Sequence, residues 1–273
     1  MFNFYEFYPT HDENRMKNEG EVELARKNFL AMFAEHTKSP NYVLYQLLKQ
    51  RFSWMNDYIR PEDKNIIELG CGAGLSKFFI KSDKLRLTDV LPSPWVDRYE
   101  DALNLSVEDG TLDIVIASHM MHHLASPADF LNKLAQKLRG GGRLIVQDIN
   151  TGLLMKLVLY IMRHEGYSDK AAVFNKNTIC NQASDPWSAN CSIPRLLFSD
   201  TREFERKFPM YRVIKNDVNE CFMFLFSGGV IAKGPRVPLS KGLTKLLYKL
   251  DKGVVSLAPS IFACGRSVVL EKR

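Results

Sequence analysis

The apolar positions of this 273-residue chain fall into short continuous runs that alternate with helical patterns. Runs at residues 65–67, 84–88 and 114–117 have the length and composition of strands that are buried on both faces of a sheet. A helical pattern follows at 127–138, and another strand pattern follows at 143–147. This alternation predicts one elaborated α/β domain.

A glycine-rich turn follows the first of these strands. It comprises residues 68–74, Glu-Leu-Gly-Cys-Gly-Ala-Gly, and residues 75–80 are typical of the first turns of a helix. Glycines permit positive φ and a close backbone approach, and a helix N-terminus offers free N–H groups. A dinucleotide fingerprint would require glycine where Leu75 stands, and no Gly-Lys-Ser/Thr of a phosphate loop follows. The turn therefore predicts a nucleotide-binding site that belongs to neither of these two types.

Four further segments follow the turn in a fixed order. Asp89 ends the second strand about 20 residues after the glycines, where an acid can accept hydrogen bonds from ribose hydroxyls. Asp101 begins an Asp-Ala pair, residues 108–110 form a Glu-Asp-Gly turn, and the fourth segment, 118–124, reads Ser-His-Met-Met-His-His-Leu. Over about residues 66–148 the chain resembles class I S-adenosylmethionine (SAM) methyltransferases, in particular the ubiquinone and menaquinone ("type 11") kind.

The resemblance implies a Rossmann-like fold with a seven-stranded, mostly parallel sheet and helices on both faces. It also implies that SAM is the cofactor, with Asp101 accepting from the adenine amino group and the next backbone N–H reaching a ring nitrogen. The cofactor residues implied by the resemblance are Glu68, Gly70, Cys71, Gly72, Gly74, Asp89, Asp101, Ala102, Ser118 and His119.

One segment departs from the family pattern. Only eleven residues separate Asp89 from Asp101, and they include Pro92 and Pro94. A helical crossover needs about a dozen residues or more, and proline disfavours a helix interior. We therefore expect a turn and a short strand at 96–99 in place of the usual helix.

The core is expected to carry additions at both ends and in its second half. The expected divisions are an N-terminal helical cap at 1–63 with helices near 21–36 and 41–58, a SAM-binding core at 64–150, a substrate-cap insert at 151–210, and C-terminal strands at 211–273. An insert at 217–260 separates the last two strands, which the family normally joins by a tight hairpin.

This insert contains a basic amphipathic helix at 239–257. Residues 233–252 hold six basic residues and one acid, a net charge of +5, whereas the whole chain carries +6. At 100° per residue the leucines fall on one face and the lysines on the opposite one. Either the leucines pack on the protein core and the lysines face solvent, or the helix lies on an anionic membrane surface.

Cysteine spacing and the chain's apolar runs limit the remaining possibilities. The five cysteines show no C-x-x-C spacing, so we expect neither a metal site nor disulfides, and a reducing compartment. The N-terminal residues lack a signal-peptide pattern, and no apolar run reaches membrane-spanning length. We expect a cytoplasmic protein, with peripheral contact at the inner face of a membrane as the open alternative. Nucleic acid is not favoured as a partner, because basic and aromatic residues are not interleaved.

The cofactor determines the expected chemistry. We expect methyl transfer to oxygen of a small-molecule or lipid- or glycan-type acceptor. A soluble natural-product or quinone-type enzyme is the first alternative, and a catalytically inactive SAM-binding module or subunit is the second. A hydroxyl acceptor must lose a proton, and a positioned histidine can take it. The candidates are His164, which has Glu165 beside it, followed by His119 and His122. Side chains that could orient an acceptor are Asp148, Asn150, Trp187 and Asn190.

Overall fold

The computed structural model describes residues 2–8, 19–34, 42–230 and 236–273. Its strands are β1 (Glu6–Phe7), β2 (Ile66–Leu69), β3 (Leu85–Asp89), β4 (Arg98–Tyr99), β5 (Leu112–Ser118), β6 (Leu138–Ile149), β7 (Tyr167–Ser168), β8 (Tyr211–Asn219) and β9 (Gly265–Lys272). Its α-helices are α1 (Glu19–Ala34), α2 (Tyr42–Ser53), α3 (Pro127–Lys137), α4 (Leu153–Met162), α5 (Ile193–Phe198), α6 (Thr201–Lys207), α7 (Phe222–Phe226), α8 (Lys241–Leu257) and α9 (Pro259–Phe262).

Seven of these strands form one sheet, in the order β4-β3-β2-β5-β6-β9-β8. Neighbouring strands from β4 to β6 are parallel, whereas β9 runs antiparallel to both β6 and β8. The predicted Rossmann-like, mostly parallel sheet is confirmed. From β2 the chain first builds outward through β3 and β4, and then returns to place β5 on the other side of β2. Open α/β sheets bind ligands at such a switch point, beyond the carboxyl ends of the strands.

The two faces of the sheet are buried against different helices. Ile66 and Leu85 pack with apolar residues of α1 and α2, whereas Ile67 and Val115 pack with those of α3. Because consecutive strand residues point to opposite faces, a strand covered on both faces needs an unbroken apolar run. This explains why the strands read as continuous apolar segments rather than as alternating ones.

The predicted N-terminal helices are present as α1 and α2, although residues 35, 36 and 41 lie outside the described part of the chain. The predicted turn and short strand before Asp101 are also confirmed, since β4 pairs with β3 without an intervening helix. The helix expected at 75–80 is wrong. Only a 3₁₀ turn, Leu75–Phe78, forms there, and it is followed by Phe79 in a non-helical conformation.

β6 also differs from the prediction. The sequence pattern predicts a strand at 143–147, but β6 already begins at Leu138 and continues to Ile149. Gly142 lies within β6, at a position that has no room for a side chain. A Cβ there would lie 2.9 Å from the carbonyl oxygen of Leu112. The close approach of β5 explains the glycine at this position.

The alternative in which the leucine face of α8 packs on the core holds only at one edge of that face, where Leu247 and Val254 are partly buried. Leu243, Leu246, Leu250 and Leu257 are all more than half exposed. The helix is instead buried through a third face, formed by Thr244, Asp251 and Val255 with partly buried Leu247, Tyr248 and Val254. The Asp251 carboxylate makes this possible by accepting hydrogen bonds from the backbone N–H groups of Cys221 and Met223. Among the described helices, none is long and apolar enough to cross a membrane.

Candidate active site

A cavity of about 650 Å³ opens at the carboxyl ends of β2, β3 and β5, within the size range of small-molecule sites. One part of its wall is the glycine turn and the ends of these strands. Another part is apolar and comes from α4, through Met155, Val158, Leu159 and Met162. Residues from α1, α2, the segment 182–187 and the segment 224–230 also contribute to the lining.

The glycine turn needs glycine at three positions for different reasons. Gly70, Gly72 and Gly74 all have positive φ. A Cβ on Gly70 would lie 2.6 Å from Met120 Cγ, and a Cβ on Gly74 would lie 2.7 Å from Trp95 Cδ1. A Cβ on Gly72 would meet no atom within 4 Å, and this residue lines the cavity. The backbone at Gly72 is therefore open to a ligand.

Glu68 lies beneath this turn, on the last strand residue but one of β2. Its carboxylate accepts a short hydrogen bond from Ser76 Oγ, and the side chain is almost fully buried. Burial raises the pKa of Glu68 to about 8, and the nearby Asp89 carboxylate adds to the increase, although the Ser76 hydrogen bond opposes it. Cys71, in the turn itself, is buried and its thiol pKa is also raised by burial. Cys71 is therefore not an activated thiol.

Asp89 joins the end of β3 to the glycine turn. Its Oδ2 accepts from the Gly72 N–H at 2.9 Å, and its Oδ1 accepts from the Leu91 N–H at 3.0 Å. Each oxygen keeps a second lone pair, and the residue lines the cavity. Asp101 and Ala102 line the same wall, where Asp101 Oδ1 accepts from the Leu103 N–H at 2.9 Å.

These residues fit SAM. The Gly72 backbone leaves space for a ligand, and the Asp89 carboxylate retains acceptor sites for hydroxyl groups. His119, at the end of β5, lines the same cavity and adds a buried Nε2 atom that has no partner in the described part of the chain. Nine of the ten predicted cofactor residues thus line one cavity.

His119 has an unusual backbone conformation as well as this buried ring atom. Its φ of +52° is unusual for a residue other than glycine, and its N–H continues the β5–β6 pairing by donating to the Gln147 carbonyl. Burial lowers the pKa of His119 to about 3, and the neighbouring Arg51 contributes to this. His119 is thus neutral at physiological pH and keeps a polar edge toward the cavity.

His122 lies on the 3₁₀ turn after β5 and is held by a carboxylate. Its Nδ1 is 2.5 Å from Asp148 Oδ1, and Asp148 is fixed near the end of β6 with no exposed surface. Burial lowers the pKa of His122, but the carboxylates of Asp148 and Glu165 outweigh this effect and raise it above its usual range. The His122 Nε2 atom has no hydrogen-bond partner among the described residues.

Glu165 is the centre of a cluster that we call the His-Glu cluster: Glu165 with His122, His123 and His164. α4 ends at Met162, and Arg163, in the left-handed conformation, turns the chain so that His164 and Glu165 reach the cavity. The Glu165 carboxylate oxygens lie 3.6 Å from His122 Nε2, 3.9 Å from His123 Nε2 and 3.8 Å from His164 Nε2. Burial would raise the pKa of Glu165, but the three imidazoles lower it well below its usual value.

Two further contacts fix the cluster from outside. His123 Nδ1 is 3.1 Å from the Ser188 carbonyl oxygen, an arrangement in which Nδ1–H donates and Nε2 keeps its lone pair. Burial and the neighbouring His122 lower the pKa of His123 to about 4, so this ring is neutral. The Cys191 thiol donates to Glu165 Oε2 at 3.2 Å.

Comparison with known proteins identifies the family. A family model described as a methyltransferase domain matches residues 30–185, more than half of the chain. This protein belongs to the methyltransferase-domain family. Together with the fold and the relatives, this makes it a class I SAM-dependent methyltransferase.

The methyltransferase has several distant curated relatives. It is 24% identical over 187 residues to the mitochondrial ubiquinone biosynthesis O-methyltransferase of Schizosaccharomyces pombe, a match that covers 53% of this chain and 68% of the relative. It is 24% identical over 148 residues to the ubiquinone biosynthesis O-methyltransferase of Cupriavidus pinatubonensis, covering 47% and 59%. It is 23% identical over 148 residues to the tRNA U34 carboxymethyltransferase of Shewanella oneidensis, covering 45% of each. The last two matches span about half the length of these relatives.

A solved structure supports the fold. A SAM-dependent methyltransferase from Archaeoglobus fulgidus superposes with a TM-score of 0.51 at 17% sequence identity, over 90% of this chain and 99% of that one. At this identity the likeness concerns the fold alone.

The methyltransferase brings together most of the residues chosen from the sequence. All ten predicted cofactor residues except Gly74 line the cavity, and so do His119, His122 and His164. Trp187 also lines it, whereas Asn150 is directed elsewhere: it donates to the Ala263 carbonyl and accepts from Arg266 Nε. Asn190 is buried, and its Oδ1 accepts from two backbone N–H groups, so its role is structural.

Sequence reasoning missed the central position of Glu165 and the inward position of His123. From the sequence, Glu165 is only the neighbour of His164, and the place of His122 and His123 at the start of a helix turn favours a structural role for both. The adjacent His-His pair directly after β5 was the available signal, because residues at the carboxyl end of a central strand lie at the ligand-binding edge.

Proposed function

We propose that this methyltransferase transfers the methyl group to a hydroxyl oxygen of a small acceptor that has an apolar body. The observation that carries the proposal is the His-Glu cluster, which lines the same cavity as the glycine turn and adjoins the apolar wall of α4. When bound, SAM supplies a sulfonium methyl group whose carbon an acceptor oxygen attacks in line, so that a carbon–oxygen bond forms while the carbon–sulfur bond breaks and leaves its electron pair on sulfur.

The residues of the chain position and desolvate the reactants. The glycine turn and Asp89 would hold the cofactor, and the α4 wall would hold the apolar body of the acceptor and exclude water. Correct orientation of two reactants alone can lower a barrier by about 7–11 kcal/mol. The hydroxyl proton then remains to be removed.

Of the three histidines predicted as catalytic, His164 is best suited to accept this proton. His122 lies between two carboxylates that favour its protonated form, and the pKa of His119 is lowered by burial. His164 Nε2 lies 3.8 Å from Glu165, and its side chain is 21% exposed, so a proton can pass on to water. A histidine in this role typically contributes about 10²–10⁴-fold.

The surface next to the cavity supports a lipid-type acceptor. The face of α4 opposite to the cavity exposes Leu153, Leu157 and Ile161, and α9 packs against both α4 and α8. α8 exposes both leucines and lysines, a combination that fits an anionic membrane surface. We propose peripheral membrane contact through this region. The names of the ubiquinone-pathway relatives are consistent with an apolar acceptor.

A nucleic-acid acceptor is the alternative to the proposed small acceptor, since some relatives are named as tRNA U34 carboxymethyltransferases. Among the described residues that line the cavity there is no lysine, and the single arginine, Arg51, is engaged by the Glu220 carboxylate at 2.6 and 2.8 Å. A phosphate backbone would find no free cation there. The lining therefore favours a small acceptor.

The test is transfer of labelled methyl from SAM into extracts of the native cell, separated into lipid, aqueous and RNA fractions. We expect label as a methyl ether in the lipid fraction, identified by mass spectrometry. His164→Ala should lower turnover about 10²–10⁴-fold while SAM binding is unchanged. Label confined to RNA, or to nitrogen or carbon, would contradict the proposal. Full activity in His164→Ala would remove the proton-acceptor role from this residue.

A further inference from the structure

Three of the four members of the His-Glu cluster have their polar atoms directed at one point. One atom from each of His122, His123 and Glu165 lies within 4.8 Å of the others. The distances from Glu165 to the two Nε2 atoms are 3.6 and 3.9 Å, which are too long for good hydrogen bonds. The His122 Nε2 atom is also fully buried and has no hydrogen-bond partner among the described residues.

These separations approach those of metal ligands. Nitrogen and oxygen ligands lie about 2.0–2.2 Å from zinc, so two ligands of a tetrahedral ion are about 3.3–3.6 Å apart. The three ligand atoms of the cluster lie within 4.8 Å of one another, so side-chain movements of about 1 Å or less would bring them to this spacing. Two imidazoles and one carboxylate are also a known donor set of catalytic transition-metal sites, which keep a further position open.

The outer contacts of both histidines match those of metal ligands. His122 Nδ1 lies 2.5 Å from the Asp148 carboxylate, and His123 Nδ1 lies 3.1 Å from the Ser188 carbonyl. Metal-binding histidines usually donate their second ring N–H to such an acceptor, which fixes the tautomer and directs the other nitrogen at the ion. Here both histidines direct Nε2 toward Glu165.

We propose that His122 Nε2, His123 Nε2 and the Glu165 carboxylate bind a divalent transition-metal ion of the zinc type, with Asp148 as a positioning residue. This deepens the proposed function and, in its catalytic part, rests on it. The open position of the ion would take the acceptor hydroxyl and lower its pKa. The oxygen would then keep its electron pair for the methyl carbon, and its proton would pass through His164 to water.

The test uses the full-length protein after treatment with a chelator. Cobalt(II) is added as a spectroscopic probe, and zinc binding is measured by calorimetry. We expect one ion per chain and the visible absorption bands of a low-coordinate cobalt site. His123→Asn and Glu165→Gln should weaken binding by more than about 100-fold, and Asp148→Asn by about 10–100-fold. His164→Ala is the matched control, because His164 contacts the same carboxylate but is not one of the three proposed ligands. This variant should retain the ion.

SAM binding by each variant shows whether it is folded. The His123 and Glu165 side chains are 20% and 16% exposed, and because they lie at different places in the chain, His123→Asn keeps the test valid if Glu165→Gln does not fold. The inference is overturned if the wild-type protein shows neither the absorption bands of bound cobalt(II) nor a heat of zinc binding. In that case the cluster holds a protonated His122. It is also overturned if His123→Asn binds the ion as the wild type does.

Failure of this inference can be separated from failure of the proposed function. O-methylation that persists unchanged in the chelated protein, without metal binding, overturns the metal site and leaves the proposed function in place. Metal binding at the three residues in a protein that methylates nitrogen, carbon or RNA supports the site and overturns the proposed acceptor.

Discussion

At the scale of single residues, Asp89 connects the second strand of the sheet with the glycine turn. Asp89→Ala should weaken SAM binding by about 1.5–3 kcal/mol, because hydrogen bonds to a charged group are lost and the Gly72 N–H loses its acceptor. This corresponds to about a 10- to 150-fold higher Kd in titration calorimetry.

Asp97→Ala is the matched control for this substitution. Asp97 belongs to the same crossover and also accepts a backbone hydrogen bond, from Leu87 N–H at 2.7 Å, but it does not line the cavity. An equal loss of SAM affinity in both variants would show a general effect on the crossover rather than a ribose contact.

Glu68 makes stability dependent on pH. Its pKa is about 8 in the folded protein and near the ordinary value of 4.5 in the unfolded chain. Below about pH 4.5 both states are protonated at this residue, and its contribution to stability is fully present. Between about 4.5 and 8 the folded state holds the extra proton, so this contribution is lost as the pH rises.

We therefore expect the unfolding free energy of the ligand-free wild type to fall more steeply from pH 5 to pH 8 than that of Glu68→Gln. Urea denaturation of both proteins across this range measures the difference. Parallel curves for the two proteins would show that Glu68 is ionised in the folded state throughout.

At the scale of elements, α8 has three faces rather than two. One face is buried, one exposes leucines, and one exposes Lys241, Lys245, Lys249 and Lys252. Replacing these four lysines by glutamine should abolish co-sedimentation with anionic liposomes, because each lysine near such a surface contributes about 1 kcal/mol. Binding by the wild type should fall as salt rises.

The control variant carries the same change at four exposed lysines elsewhere, Lys64, Lys81, Lys176 and Lys207. It should still sediment with the liposomes. Leu246→Ser with Leu250→Ser should lower membrane binding without loss of stability, because both leucines are already exposed. No sedimentation of the wild type at low salt would instead favour a protein partner or solvent on this face.

At the scale of the whole molecule, cofactor binding should stabilise the fold. At a SAM concentration of 100 times Kd the native state gains about 2.7 kcal/mol. For a chain of this size this should raise the Tm by about 5–10 °C in a thermal-shift measurement. Gly72→Val should abolish the rise, because its side chain would occupy the open space of the cavity and resist the positive φ.

Gly110→Val separates the two effects of this substitution. Gly110 also has a positive φ and open space around it, but it does not line the cavity. The variant should be less stable than the wild type yet keep the SAM-induced rise in Tm. If Gly72→Val also keeps the rise, the ligand does not bind over this turn.

The sequence by itself determined the sheet and the glycine turn. It also determined that the polar residues lie at the carboxyl ends of the strands. These features depend on local physics: a buried parallel strand needs a continuous apolar run, and the positive φ of Gly72 requires a particular residue type at a fixed place. The missing crossover helix could also be predicted, because a short segment with two prolines cannot form one.

Only the tertiary structure decided which face of α8 is buried, because an amphipathic pattern does not specify the partner. Asp251, a charged residue, is buried because two backbone N–H groups of the segment before α8 need an acceptor. The His-Glu cluster has the same origin: His122, Asp148 and Glu165 come from the end of β5, from β6 and from the turn after α4, and no local pattern brings them together. Long-range packing sets the distances among them, and the chemistry of the site depends on those distances.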